Sequence, residues 1–354
     1  MAATPRIPSR VTAAMVAERA GTSIATVSLV VNGKHRGRVS DENADRVRAA
    51  VRELGYIVDG TASALARGTS DVVVLLAPDL PNPYFGRVIK GVQEELDDRF
   101  QLLLSAASSG RQPTATDVRR LAALRPAGLL VSAPGPDFLD EVPPGIPLVL
   151  LDAPGLETRA VAVNYDIEPG VDALVAHLAE RGHRTIGYLD GTTPAATYIL
   201  RREALARLAA ARGMTVLADE DARSGPDTAE AAAVVARVLP RWRDAGVTAI
   251  VAAADTLALG VLAACADAGV RIPEDLAVAG FDDLPAAAVT APSLTSVALP
   301  GDALGREAAH RLVALLDGES PRERRPGLLD ATLIVRASTS APARAADAPE
   351  PSGT

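Results

Sequence analysis

From residue 71 onward, short apolar runs alternate with stretches long enough to form helices, and this pattern narrows the possible folds most. The runs cover residues 72–76, 101–104, 128–131, 147–151, 185–189, 249–251 and 276–279. Each is too short for a buried helix and apolar on both faces, as a strand covered from both sides must be. Repeated strand–helix alternation makes parallel sheets with helices on both faces, an α/β architecture. In such sheets ligands gather outside the carboxyl ends of the strands. The polar residues behind the runs are therefore candidates. They are Asp79, Asn82, Tyr84 and Phe85 after the first run, Asp152 after the fourth, Asp255 after the sixth, and Asp282 and Asp283 after the seventh. Carboxylates, an amide and aromatic faces suit a polyhydroxylated or heterocyclic ligand. A lone Asp in such a place otherwise serves as a cap or turn residue.

The formal charge of -8 hides an asymmetry. The first 70 residues hold ten Arg and Lys against six Asp and Glu, a balance of +4, so the rest of the chain sums to -12. A small basic head on an acidic body suits a polyanion-binding module joined to a domain that binds none. At 354 residues the chain exceeds the usual size of one domain. The single cysteine, Cys265, excludes an internal disulfide framework and reads as a buried structural thiol in an Ala-rich run. No export signal stands at the N-terminus, and Asp255 interrupts the most apolar window. A cytoplasmic location without a membrane partner is expected.

The basic head has its own pattern. Thr12 can cap a helix whose inner face carries Val16, Ala17 and Ala20, and Gly21 can turn the chain sharply. A second helix over residues 24–31 turns Val27, Val30 and Val31 inward and shows Ile24, Ala25, Thr26, Ser28 and Leu29 outward. Asn32 and Gly33 end it. Hydroxyls bond phosphates and short apolar side chains touch thymine methyls in the major groove. Lys34, Arg36 and Arg38 follow in a loop, and Ser40 caps a third helix over residues 41–54. The alternative is a plain three-helix bundle with solvated hydroxyls.

The runs VTAAMVAERAGTSIATVSLVVNG and RVSDENADRVRAAVRELGY resemble the head of the LacI-type (lactose-repressor) family of transcriptional regulators. PDLPNPYF, ERGHRTIGYLDG, DTLALG, RIPEDLAVAGFDD, PSLTSV and LIVRAST resemble further segments of it, in order, over residues 11–339. The resemblance implies an all-α helix-turn-helix head plus an α/β periplasmic-binding-protein-like effector domain with two doubly wound lobes. It divides the chain into a head over 9–58, a hinge helix or linker over 59–70 and an effector domain over 71–340. The N-lobe would hold 71–162 and 293–330, and the C-lobe 163–292 and 331–340. A disordered tail over 341–354, without tetramer-forming heptads, favours a homodimer.

The resemblance also implies roles. Thr26, Ser28 and Asn32 would contact phosphates, and Ile24, Ala25 and Leu29 would face bases. Thr12, Ser23, Lys34 and Tyr56 complete the expected contacts of the head. Leu65 would wedge into the minor groove from the hinge; without the resemblance that stretch reads as a flexible linker of small residues. Effector contacts are implied at Asn82, Tyr84, Phe85, Arg201 and Asp282, beside the strand-end carboxylates Asp79, Asp152 and Asp255. Leu29 stands where the family commonly has Arg, and Leu cannot make Arg's bidentate bond to guanine. Ala204 and Leu205 replace a usual Gly and Phe, and Ala254 replaces a frequent Asn.

The expected partners are pseudo-palindromic operator DNA, a small-molecule effector of carbohydrate type and a second copy of the chain. One rival is a solute-binding protein, which would carry an export signal rather than a basic head. The other is an enzyme. No phosphate loop, dinucleotide turn or nucleophile elbow is present, and His35, His177, His183 and His310 lack metal-ligand spacing. No catalytic residue, metal or cofactor is expected.

Overall fold

Polar caps and glycines punctuate the N-terminal helices. Thr12 Oγ1 accepts from the Met15 amide at 3.4 Å and starts α1 (Ala13–Ala20). Gly21, at φ 64°, ends it in the left-handed conformation that glycine adopts without a Cβ penalty. Ser23 Oγ accepts from the Thr26 amide at 3.1 Å and caps α2 (Ile24–Val31); Ser40 caps α3 (Asp41–Leu54). The α1 and α2 axes turn through 102° at their break, the geometry of a helix-turn-helix. Val16, Ala17, Ala20, Val27, Val30, Ala44, Val47 and Ala50 form the core beneath. Eight-residue helices do not persist alone in water, so this packing holds them.

The structure is a computed structural model that describes residues 11–56, 70–107, 111–319 and 327–340. The chain divides after Ser70 into two compact units. Residues 59–69 of the expected hinge, with Leu65, lie outside the described residues, as do 320–326 and the expected tail 341–354.

The second unit builds two sheets from its apolar runs. The first contains β1 (Val72–Ala77), β2 (Gln101–Ala106), β3 (Gly128–Ser132), β4 (Leu148–Leu151), β5 (Val161–Asp166) and, from late in the chain, β12 (Gly327–Asp330). Its order is β12-β5-β4-β3-β1-β2. The second contains β6 (Thr185–Gly191), β7 (Thr215–Leu217), β9 (Ala249–Ala252), β10 (Ala277–Phe281), β11 (Thr295–Ala298) and β13 (Thr332–Ile334). Its order is β13-β11-β10-β9-β6-β7, with β8 (Arg223–Ser224) paired to β6. Every described ladder is parallel except β11 with β13. The central strands are buried on both faces, as their unbroken apolar runs require.

The ladders move two of the expected lobe limits. β5 pairs with β4 and β12, so the N-lobe runs past residue 162 to residue 166. β11 pairs with β10 and β13, so residues 295–298 belong to the C-lobe sheet, not the N-lobe. Both strands carry polar side chains, among them Asn164, Thr295 and Ser296, that hide them from a search for apolar runs. Their backbone ladders, not their hydrophobicity, assign them.

One helix contact fixes the cleft side of the N-lobe. Helix α4 (Tyr84–Leu96) lies directly on the helix Gly301–Leu316. A Cβ on Gly91 would stand 1.9 Å from the Asp302 carbonyl oxygen, and one on Gly305 would stand 2.1 Å from that of Val88. The two backbones touch, which only glycine permits. Tyr84 and Phe85, at the α4 N-terminus, are thereby held against the carboxyl edge of the sheet.

Candidate functional site

Two places in the chain present functional groups. The first is the outer face of α2. Ile24 is 55% exposed, a large apolar side chain left in water at the start of a helix. Ala25 and Ser28 are exposed beside it, and Thr26 and Leu29 are half-buried. Ser23 Oγ and Thr26 Oγ1 lie 2.9 Å apart, and Asn32 Nδ2 donates to the Ser28 carbonyl at 2.8 Å. Short polar groups thus ring an apolar centre, and no acidic residue occupies the first turn of α2. The positive end of that helix is open to phosphate.

Thr12 and Lys34 are exposed at the margins of the same unit, with Arg36 and Arg38 beside Lys34 in the loop. Tyr56 packs half-buried against the head core. The ion pairs of the head, Arg19 with Glu53 and Arg48 with Asp45, both at 2.8 Å, are exposed and contribute little to stability.

The second place is a cleft in the larger unit, open at its mouth, with about 660 Å³ of free space counted together with the solvent there. Parallel strands bring it about, since their carboxyl ends all face one way. From the N-lobe, Asp79, Asn82, Tyr84 and Phe85 follow β1, Ala133 follows β3 and Asp152 follows β4. From the C-lobe come Tyr198 and Arg201 on the helix Ala196–Ala210, and Asp282 behind β10. Seven of the eight residues expected at an effector site therefore line one cavity.

The backbone at these strand ends is strained. Ala133, Asp152, Asp282 and Asp283 have φ of 46°, 49°, 104° and 52°, in the region side chains avoid at a cost of about 1–3 kcal/mol each. The amides of Ala133, Asp152 and Asp282 donate to Leu151, Val163 and Val297 on neighbouring strands at 2.8, 2.9 and 2.9 Å. Each ladder thus continues one residue too far and bends its side chain toward the cavity.

Arg201 is the centre of the charge pattern. Its Nη1 donates to the Ala253 carbonyl at 2.6 Å and lies 3.3 Å from Asp282 Oδ1, with both side chains 5% exposed. The Phe281 ring lies 5.1 Å from the guanidinium carbon and the Tyr198 ring 5.6 Å. Its Nε has no partner among the described residues. Burial works against the cation, but Asp282 and Asp152 hold its pKa above the ordinary value. Burial pushes the Asp282 carboxyl up to about 6, against the pull of Arg201. Burial also raises Asp152 and Asp79 above the ordinary carboxylate range.

Asp255 does not belong to this wall, which corrects the expectation. It is fully buried, with Oδ2 accepting from the Leu284 amide and Oδ1 from the Ser296 hydroxyl, both at 2.8 Å. Its carboxyl is spent pinning the loop behind β10 to β11, and Gly280 leaves room for it.

Sequence reasoning missed Gln112, Thr197 and Tyr198, which also line the cavity. Tyr198 stands three residues before Arg201, the spacing that puts two side chains on one helix face, and that signal could have found it. Gln112 lies in the connection between β2 and the helix Ala115–Ala122, behind a run whose trailing residues sequence reasoning left out. A further contact joins the lobes beside the cavity. Arg87, on α4, donates to the carbonyls of Asp282 and Asp283 at 3.4 and 3.3 Å and pairs with Asp302 at 3.4 Å.

Among the described residues no group of three His, Cys, Asp or Glu side chains could hold a metal. Cys265 is buried, and burial pushes its thiol up to about 11, so it stays protonated and inert.

The sequence matches the LacI family of bacterial regulatory proteins over residues 12–59 and a periplasmic binding protein-like domain over residues 175–339. It is 32% identical over 344 residues to the HTH-type transcriptional regulator CelR of Thermobifida fusca, covering 93% of this chain and 98% of that one. It is 29% identical to the regulator GalR of Escherichia coli K12, with 92% and 95% covered. A solved CelR–cellobiose complex superposes with a TM-score of 0.64 at 29% identity, covering 93% of this chain and all of that one. The lac repressor dimer bound to operator and the anti-inducer ONPF superposes with a TM-score of 0.78 at 25% identity, covering 93% and 99%.

Proposed function

Since this chain belongs to the LacI family of bacterial transcriptional regulators, we propose that it is a repressor in which a carbohydrate bound between its lobes sets the operator affinity of α2. The protein is a non-enzymatic, sequence-specific DNA-binding regulator under allosteric control. One observation carries the proposed site: residues from the strand ends of two separate sheets converge on one cavity around a buried Arg201–Asp282 pair. A ligand touching both walls binds the closed arrangement better than the open one, and only such a difference can shift the equilibrium. The coupling is reciprocal, so operator must change sugar affinity by the same factor as sugar changes operator affinity.

In the head, Thr12, Ser23, Thr26, Ser28, Asn32 and Lys34 serve phosphates, while Ile24, Ala25 and Leu29 meet base edges. Leu29 offers thymine methyls an apolar contact in place of a bond to guanine. Tyr56 and Leu65 complete the set. In the body, Asp79, Asn82, Tyr84, Phe85, Asp152, Arg201 and Asp282 hold the effector. The protein works as a homodimer on a pseudo-palindromic operator, one head per half-site. The edge strand β2 supports this, with Leu103 and Leu104 41% and 42% exposed on an edge that no described strand pairs and a second copy can cover. Acting on DNA places it in the cytoplasm, and operator binding associates it with the nucleoid.

The test is fluorescence anisotropy on an operator enriched from random duplex, with and without a carbohydrate panel. At least one sugar should change operator affinity by tenfold or more. Equal affinity for the enriched operator and random duplex would refute the DNA reading.

A further inference from the structure

Resting on the carbohydrate reading above, we infer that the cavity selects by charge: it takes polyhydroxylated ligands bearing no negative charge and refuses phosphorylated or carboxylated ones. Three carboxylates, Asp79, Asp152 and Asp282, and one cation, Arg201, line it. With all ionised, the wall carries two uncompensated negative charges. Protonation of one buried carboxyl still leaves it acidic.

The cation is committed. Arg201 faces Asp282 at 3.3 Å and has given Nη1 to the Ala253 carbonyl. The charge of Arg201 is already offset by Asp282 at 3.3 Å, so a phosphate or carboxylate would meet a neutralised guanidinium and not the free cation that a fork-to-fork grip needs. Nearby cations are equally engaged. Arg87 pairs with Asp302 and two carbonyls, Arg202 and Arg223 pair with Asp190, and Arg336 pairs with Asp283. Two helices, Tyr84–Leu96 and Ala196–Ala210, start at the cavity, and their positive ends, roughly half a charge each, do not cancel two carboxylates.

The acceptors point the other way. Asp79 is half-buried on the wall and no described residue donates a hydrogen bond to its carboxylate. A carboxylate in a water-poor cavity needs donors, and hydroxyl or ammonium groups of a ligand supply them. Tyr84, Phe85 and Tyr198 give the same cavity apolar ring surface in a chain with only 3% aromatics. Such faces stack on the C–H faces of a sugar ring. An anionic substituent brought within about 6 Å of an uncompensated carboxylate should weaken binding roughly 100-fold.

The experiment titrates matched pairs into the full-length protein by calorimetry at pH 7.5. The pairs are glucose and galactose against their 6-phosphates, cellobiose against cellobionate, and adenosine against its 5′-monophosphate, with glucosamine as a cationic arm. Among the sugars, uncharged or cationic members should bind and their anionic partners should be weaker by about 100-fold, with neither adenosine nor its monophosphate bound. In Asp79→Asn, which keeps the side chain's size at a partly exposed position, that ratio should fall about tenfold. An anionic member binding as tightly as its uncharged partner overturns the inference and leaves the carbohydrate reading standing. Adenosine binding with its monophosphate refused upholds the charge selection and overturns the carbohydrate reading. Heatless titration by every compound overturns both.

Discussion

Replacing Arg201 by Met removes the cation while keeping a flexible side chain of similar reach. The guanidinium lies 3.3 Å from Asp282, and both are 5% exposed. Breaking a buried pair from one side strands the other charge and costs about 3–5 kcal/mol. The Asp282 carboxyl, already pushed up to about 6 by burial against Arg201's pull, rises further without its partner. The sign follows from that direction. A carboxyl raised above its ordinary 3.8 leaves stability intact at low pH, and stability is lost as pH rises through the folded-state value. Each pH unit over which it is protonated when folded but ionised when unfolded costs about 1.4 kcal/mol.

In the natural protein this group weakens the fold by about 0.8 kcal/mol between pH 5.5 and 7.5, because above 6 it is largely ionised in both states. In Arg201→Met, with its carboxyl protonated throughout that interval, the loss approaches 2.7 kcal/mol. The deficit of the variant relative to the natural protein should therefore shrink by about 2 kcal/mol on going from pH 7.5 to 5.5. Urea unfolding of both proteins at the two pH values measures the difference; groups that do not face Arg201 cancel, and Asp152, which also loses the pull of Arg201, shifts in the same direction as Asp282. Effector binding should be lost and operator binding kept. A deficit equal at both pH values, or larger in acid, refutes the coupling of Arg201 to a buried carboxylate.

Asp255→Ala leaves the Leu284 amide without its acceptor and should lower stability by about 2–4 kcal/mol, while affecting sugar affinity far less than Arg201→Met does; calorimetric titration of the two side by side decides this. Leu29→Arg should add a guanine preference of about 1–3 kcal/mol at one operator position. Binding to single-base operator variants reads it, and an equal gain on all four bases contradicts the placement of α2. Arg87→Met removes the donors that tie α4 to the carbonyls of Asp282 and Asp283. Effector affinity should fall about fivefold, near 1 kcal/mol, with effector-free operator affinity within twofold; loss of operator binding instead would show that Arg87 holds the fold rather than the lobe contact.

Much of the head and part of the body are legible in the residues alone. The α2 limits follow from Ser23 and Asn32, which compete for the backbone and so mark helix ends wherever they fall. The central strands announce themselves because burial on both faces demands unbroken apolar runs. Strand β5 does not, since Asn164 and Asp166 interrupt its run, and its membership depends on backbone bonds to β4 and to β12, far away in sequence. Asp255 and Asp282 look alike as carboxylates behind apolar runs. They part because Leu284 and Ser296 claim one of them, while φ of 104° turns the other to the cavity.

Local physics, written residue by residue, determined the three-helix head, the α/β character of the body and the strand ends at which a ligand would sit. Tertiary structure alone decided which strands share a sheet, where the chain crosses between lobes, and which carboxylates keep a free face. Those outcomes depend on contacts between residues distant in the chain, from 29 positions for Asp255 with Leu284 to 196 for Arg87 with Asp283. Propensity and periodicity carry no information about such pairs, because neither term contains the distance between them.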